Sequence, residues 1–87
     1  MKPNLTPRHR EVIRLVSLGC TNEEIALILG IAASTADNHR VAAMAELGTG
    51  KSALVTRLAI KYRITTMKDK LTLSEKRKSG RKRDGWN

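Results

Sequence analysis

The apolar residues of this 87-residue chain recur every three or four positions, which is the spacing of amphipathic α-helices. Thr6 is suited to cap a helix that begins at Pro7, because the first helical residue needs no N–H for an intrahelical bond. The pattern predicts a first helix from Pro7 to about Gly19, with Arg14 facing solvent. The aliphatic residues that share the inward face of this helix are Val12, Leu15 and Val16.

Residues 21–47 predict two further helices joined by a tight corner. Thr21 and Glu24 have the spacing of a capping box, in which each side chain bonds to the backbone N–H of the other residue. Gly30 can adopt the left-handed conformation that ends a helix. A short capped helix, a glycine corner and a longer helix are typical of the helix-turn-helix, whose second helix enters the major groove of DNA. One face of the longer helix contains Ala36, His39, Ala43 and Leu47.

Two aliphatic residues of the shorter helix, Leu27 and Ile28, lie outside its apolar stripe. One interpretation is that they enlarge the hydrophobic core. The other is that they contact a partner subunit or the tail of the same chain. The sequence leaves both interpretations open.

Gly48 ends the longer helix, and a fourth helix is predicted over about residues 53–62, with Ser52 as its N-cap. Residues 45–52 loosely match the pattern of a phosphate-binding loop. Such a loop lies between a strand and a helix, whereas a helix precedes it here. We therefore expect an ordinary turn that binds no nucleotide.

The formal net charge of +9 is high for this length and indicates a polyanionic partner such as nucleic acid. Residues 1–64 carry nine Lys or Arg against five Asp or Glu, and residues 65–87 carry eight against three. More than half of the excess positive charge therefore lies in the last quarter of the chain. The single cysteine, Cys20, cannot form an intrachain disulfide. With no apolar run long enough to span a membrane, the sequence predicts a cytoplasmic protein.

Several short motifs follow one another along residues 5–64: LTPR and REV in the first helix, TNEEIA at the start of the second, STADNHR in the third and LG at its end. In these motifs the chain resembles the LuxR/NarL/GerE family of bacterial transcription regulators. The resemblance implies an all-α, four-helix helix-turn-helix domain over residues 1–64, followed by a basic C-terminal extension over residues 65–87. It further implies a free-standing, GerE-like regulator that acts in the bacterial cytoplasm on the nucleoid.

The resemblance also implies roles in DNA binding. Ser34 and Asp37 stand where the family commonly has Lys or Arg, which leaves Arg40 as the only cation of the expected recognition surface. Non-specific affinity should fall accordingly, because it comes mainly from neutralised phosphates. The residues expected to face the bases are Asp37, Asn38 and Val41. The residues expected to contact phosphates are Thr21, Asn22, Ser34, Thr35, Arg40 and Lys51.

Two interpretations of Asp37 remain open from the sequence. If the third helix begins near Ala33, as in the family, Asp37 is exposed and can accept a hydrogen bond from a cytosine amino group. If Ser34 is the N-cap instead, Ser34 and Asp37 form a capping box and the helix begins later. In that case the Asp37 carboxylate serves the helix terminus and not a base.

By the same resemblance, the fourth helix is expected to supply a dimer contact through Leu54, Val55 and Leu58. The extension is expected to be partly or wholly disordered, because its end is too highly charged to bury apolar surface. It is either a passive solubilising tail or a cationic arm on the DNA backbone or minor groove. The cations of this basic tail are Lys76, Arg77, Lys78, Arg81, Lys82 and Arg83.

Together these features predict a sequence-specific transcription regulator that binds double-stranded DNA as a homodimer through its third helix. The sequence offers no catalytic pair of residues, no cluster of metal ligands and no cofactor motif, so an enzyme is not expected. The alternative is a protein-interaction module that pairs with another regulator or with RNA polymerase without reading DNA.

Overall fold

A computed structural model describes residues 3–81, apart from the side chain of Ser52. This part of the chain forms five α-helices and no strand, which confirms the all-α fold class. The first four helices were predicted, and the fifth lies within the predicted C-terminal extension. The helices are α1 (Pro7–Ser17), α2 (Asn22–Leu29), α3 (Ala33–Leu47), α4 (Ser52–Lys61) and α5 (Leu73–Ser79).

The first two helices begin where their capping residues predict. The Thr6 hydroxyl accepts a hydrogen bond from the backbone N–H of His9 at 3.1 Å, and Pro7 is the first residue of α1. The capping box of α2 is complete, since Thr21 Oγ1 accepts from the Glu24 N–H at 3.2 Å and Glu24 Oε1 accepts from the Thr21 N–H at 2.8 Å. These bonds satisfy N–H groups that the start of a helix leaves unpaired.

Helix α3 begins at Ala33, which confirms the interpretation that starts the helix near this residue. Its N-cap is Ala32, which makes no side-chain capping bond, and the helix ends at Gly48 with a φ of 96°. Helix α4 has Lys51 as its N-cap and Ser52 as its first residue. The prediction of Ser52 as the N-cap was therefore wrong by one residue.

Helix α1 joins the two halves of the hydrophobic core because its apolar residues face two directions. Val12 and Leu15 pack in a cluster with α2, whereas Ile13 packs in a second cluster with α3 and α4. Successive residues of a helix are turned by about 100°, so neighbouring positions can face different clusters. Val12 and Ile13 are both completely buried.

The two aliphatic residues outside the predicted stripe of α2 have different surroundings. Ile28 is 7% exposed and belongs to the cluster between α1 and α2, whereas Leu27 is 58% exposed. The same cluster contains Leu71 from the C-terminal extension, which is 2% exposed. Ile28 therefore enlarges a core to which the tail of the same chain contributes.

Residues 65–81 of the predicted extension pack against the helical domain. Helix α5 lies against α2. Arg14 of α1 donates from Nε to Asp69 Oδ2 at 2.9 Å and from Nη1 to Glu75 Oε2 at 2.7 Å. The expectation that Arg14 faces solvent was wrong, because these two carboxylates cover its guanidinium. Apolar and ionic contacts together hold this part of the extension in place.

Candidate nucleic-acid interface

The outer face of α3 is left uncovered by the described part of the chain. Ala36, on the inner face, is completely buried, whereas Val41 is 57% exposed. Asn38 is exposed, and so are Ser34 and Thr35 near the start of the helix. Four of the residues predicted to contact DNA therefore lie at accessible positions of α3.

A hydrogen-bonded network crosses the corner between α2 and α3. Asn22 Nδ2 donates to Asp37 Oδ1 at 3.0 Å. Arg40 donates from Nη2 to Asp37 Oδ1 at 2.9 Å and from Nε to Asn22 Oδ1 at 3.0 Å. Three residues that were predicted separately as DNA contacts are thus bonded to one another. The sequence pattern missed this network because it joins side chains on different helices.

The structure decides between the two interpretations of Asp37. Helix α3 has Ala32 as its N-cap, so the interpretation with Ser34 as the cap is wrong. The Asp37 carboxylate instead accepts from Asn22 and Arg40. The Asp37 side chain is 46% exposed and that of Arg40 is 29% exposed, so the carboxylate is the more accessible member of the ion pair.

A shallow groove lies between the outer face of α3 and the turn that follows it. Its walls are Arg40, Val41 and Met44 of α3 together with residues 48–50 of the turn. Lys51 follows this turn directly and is exposed. One cation predicted to contact a phosphate therefore lies close in sequence to a groove on the α3 surface.

Arg81, the last described residue, is held at the loop between α1 and α2. Its Nη1 donates to the Leu18 carbonyl at 3.4 Å and lies 3.6 Å from Cys20 Sγ. Its Nε lies 3.4 Å from Glu24 Oε2. The same loop leads into Thr21, whose hydroxyl caps α2. Of the other predicted tail cations, Arg77 and Lys78 are exposed, Lys76 is half-buried, and Lys82 and Arg83 lie outside the described residues.

The buried thiol of Cys20 is expected to be unreactive and to serve in packing. Burial raises the pKa of the Cys20 thiol, and the neighbouring Arg81 guanidinium opposes this shift only in part. A raised pKa keeps the sulfur protonated near neutral pH, and a thiol is a weak nucleophile. Within residues 3–81, no three His, Cys, Asp or Glu side chains are grouped to hold a metal ion, and no helix is long and apolar enough to span a bilayer.

Helix α4 exposes only part of the predicted dimer contact. Leu54 is 40% exposed and Leu58 is half-buried, whereas Val55 is completely buried in the cluster between α1, α3 and α4. Val55 is therefore not available to a second subunit, because its side chain already packs inside the monomer. The accessible part of the predicted contact consists of Leu54 and Leu58.

The helical architecture agrees with a comparison against known protein families. The GerE family model, described as bacterial regulatory proteins of the luxR family, matches residues 3–59. The chain belongs to the luxR family. The match includes the helix-turn-helix and the uncovered face of α3, whereas α5 lies beyond it. The family resemblance stated from the sequence motifs is thereby confirmed.

One transcriptional regulatory protein is similar to most of the chain. The sequence is 39% identical over 62 residues to the transcriptional regulatory protein MctR of Rhizobium johnstonii. The alignment covers 71% of this chain and 29% of MctR, so the luxR-family chain spans less than a third of that regulator's length. No solved structure gives a significant match.

Proposed function

We propose that this luxR-family chain is a DNA-binding transcription regulator that places α3 in the major groove of double-stranded DNA. The observation that carries the proposal is the uncovered outer face of α3, where Asn38 and Val41 are exposed while Ala36 is buried in the core. The major groove is wide enough for one α-helix, and the second helix of a helix-turn-helix is the one that enters it. The family and MctR, both named as regulators, support the same role.

Within this interface we assign base reading to Asp37, Asn38 and Val41. An amide recognises adenine, an apolar side chain contacts the methyl group of thymine, and a carboxylate accepts a hydrogen bond from the cytosine amino group. The polar residues around them are assigned to phosphates, whose contacts fix the position of the protein on the duplex. These are Thr21, Asn22, Ser34, Thr35, Arg40 and Lys51.

The basic extension is assigned to the phosphate backbone. Arg40 is the only Lys or Arg in the sequence of α3, so this helix supplies little of the phosphate neutralisation on which non-specific affinity depends. Arg81 contacts the α1–α2 loop, which leads into Thr21 and Asn22, two of the residues assigned to phosphates. The described part of the extension therefore ends near the proposed DNA surface.

Two copies are proposed to bind a two-fold site, with their α3 helices in successive major grooves about 34 Å apart. Leu54 and Leu58 of α4 are the proposed contacts between the copies. The same role implies action on the bacterial nucleoid in the cytoplasm, without catalysis or a cofactor.

The second candidate function is a protein-interaction module that pairs with another regulator or with RNA polymerase. Two observations favour it: Leu27 is 58% exposed on α2, and Arg40, the cation of α3, already bonds to Asp37. The high positive charge of the chain favours DNA instead.

A titration of genomic fragments and random duplex at several salt concentrations tests the primary proposal. We expect the wild type to prefer a subset of fragments and Asn38→Ala to flatten this preference, since one lost base contact removes about 1–3 kcal/mol of discrimination. Arg40→Ala should weaken all duplexes alike and reduce the salt slope by about 1. If Asn38→Ala and Arg40→Ala each lowered the affinity for selected and for random DNA by the same factor, these assignments would be contradicted.

The contribution of the extension is tested by removing its charge while keeping its fold. Substituting Arg77, Lys78, Lys82 and Arg83 by Gln leaves Leu71 and the ion pairs of Arg14 in place. We expect weaker binding to every duplex and a shallower salt dependence, with the preference among fragments retained. If wild-type binding is sequence-blind and disappears in this variant, the interaction module becomes the better explanation.

A further inference from the structure

We propose that Asp37 weakens the contact of Arg40 with DNA phosphates on every duplex, and that a site presenting a cytosine amino group to Asp37 compensates for the lost affinity. Asp37 is then a specificity-determining residue that disfavours random DNA. The inference rests on the proposed function, because it concerns the same α3 surface. It goes further by assigning opposite effects to two neighbouring residues of that surface.

The geometry around the Arg40 guanidinium carries the first step. Each of its three nitrogens has a partner within the chain: Nη2 bonds to Asp37 Oδ1 at 2.9 Å, Nε to Asn22 Oδ1 at 3.0 Å and Nη1 to Met44 Sδ at 3.6 Å. Asn22 in turn donates to the same Asp37 oxygen at 3.0 Å. A phosphate that approaches Arg40 therefore meets a guanidinium with one N–H of each nitrogen bonded within the chain and with its charge paired to Asp37.

The exposure of the pair carries the second step. The Asp37 side chain is 46% exposed and the Arg40 side chain 29% exposed. An approaching DNA strand therefore meets more of the negative carboxylate than of the cation paired with it. Because phosphates carry the same charge in every sequence, this repulsion weakens binding to all duplexes.

The pairing is weak enough for DNA to displace it. Half-exposed ion pairs three residues apart on a helix contribute little to stability, so Asp37 reduces affinity without preventing binding. A carboxylate accepts a hydrogen bond from the amino group of cytosine. At such a base the Asp37 oxygens gain a new donor, which compensates for the repulsion, whereas random DNA supplies this donor only by chance.

Asp37→Asn tests the inference, because it removes the negative charge and keeps an oxygen that can accept from Asn22. We expect this variant to bind random duplex about three- to tenfold more tightly at low salt, with a steeper salt dependence. Binding to the best genomic fragment should tighten less, so that the ratio of the two affinities falls. Asp37→Glu, which retains the charge, should stay close to the wild type on random duplex.

Two controls separate the restraint of Arg40 from a general change in charge. Glu46→Gln removes the same charge from α3 at an exposed position nine residues later, which is the opposite side of the helix at about 100° per residue. It should tighten binding to random duplex clearly less than Asp37→Asn does. In an Arg40→Gln background, the gain from Asp37→Asn should shrink, since the two residues act on one another.

The outcomes separate this inference from the proposed function. A wild type that prefers certain fragments, with Asp37→Asn no tighter on random duplex, overturns the inference alone. If Asp37→Asn tightens binding to selected and random duplex equally, the role of Asp37 in specificity is overturned. If the affinity gain from Asp37→Asn is as large in the Arg40→Gln background as in the wild type, the restraint of Arg40 is overturned. A wild type without any preference among duplexes overturns the proposed function and the role in specificity together.

Discussion

At the scale of single residues, Arg14 joins distant parts of the chain. Its guanidinium bonds to Asp69 and Glu75, which follow it by 55 and 61 residues. Partial burial alone would raise the pKa of each carboxyl. The hydrogen bonds and positive charge of Arg14, together with hydrogen bonds from Thr65 and Lys70 to Asp69 and from Thr72 to Glu75, outweigh burial and lower both pKa values. The folded state therefore binds these carboxyl protons more weakly than the unfolded chain does.

This difference predicts a loss of stability in acid. The stabilisation from Asp69 and Glu75 is fully present above their unfolded pKa values of about 4, and it disappears as the pH falls through the lower folded values. Urea unfolding between neutral pH and about pH 3 measures the effect. Asp69→Asn should be less stable than the wild type at neutral pH and lose less on acidification. Parallel pH profiles for the two proteins would contradict the role of Asp69.

At the scale of elements, capping signals predicted the starts of α1 and α2, but α5 was missed. The sequence TLSE at residues 72–75 has the spacing of a capping box, and the structure contains one there, between Thr72 and Glu75. The charged residues around this capping box leave few apolar positions for packing, so the sequence pattern did not predict a helix there. Helix α5 is held in place by Leu71, which lies just before it and packs in the core, and by Arg14 of α1. These contacts join residues that are far apart in the sequence, so they leave no local pattern.

The buried position of Leu71 predicts that the extension stabilises the whole domain. Leu71→Ala should lower the free energy of unfolding by about 2–5 kcal/mol, because it opens a cavity in the cluster between α1 and α2. Leu73→Ala is the matched control, since Leu73 is 62% exposed in the same segment. Thermal or urea unfolding of both variants measures the difference. Similar stabilities for the two would mean that the extension does not pack as described.

At the scale of the whole molecule, the size of the described chain bears on its assembly. Its longest dimension is 36 Å and it contains one α3. Contact with two major grooves about 34 Å apart therefore requires two copies. On α4, Leu54 is 40% exposed, which makes it the most accessible residue of the proposed dimer contact.

Leu54→Glu tests the dimer without disturbing the core. A buried charge at the contact between copies should weaken self-association by about tenfold and reduce the advantage of a two-fold site over a single half-site. Leu27→Glu is the control, since Leu27 is 58% exposed on a different helix. Sedimentation equilibrium and titration of duplexes with one or two half-sites provide the measurements. An unchanged association constant for Leu54→Glu would place the dimer contact elsewhere.

The sequence by itself determined the family, the all-α fold class and the positions of the first four helices, because capping residues and apolar spacing act over a few residues. Tertiary structure alone decided that Arg14 is covered by Asp69 and Glu75 and that Leu71 is core. It alone brought Asp37 and Arg40 together with Asn22. These arrangements depend on side chains that are distant in sequence but meet in space, such as Arg14 with Asp69 and Asn22 with Asp37, and such separations carry no periodic signal.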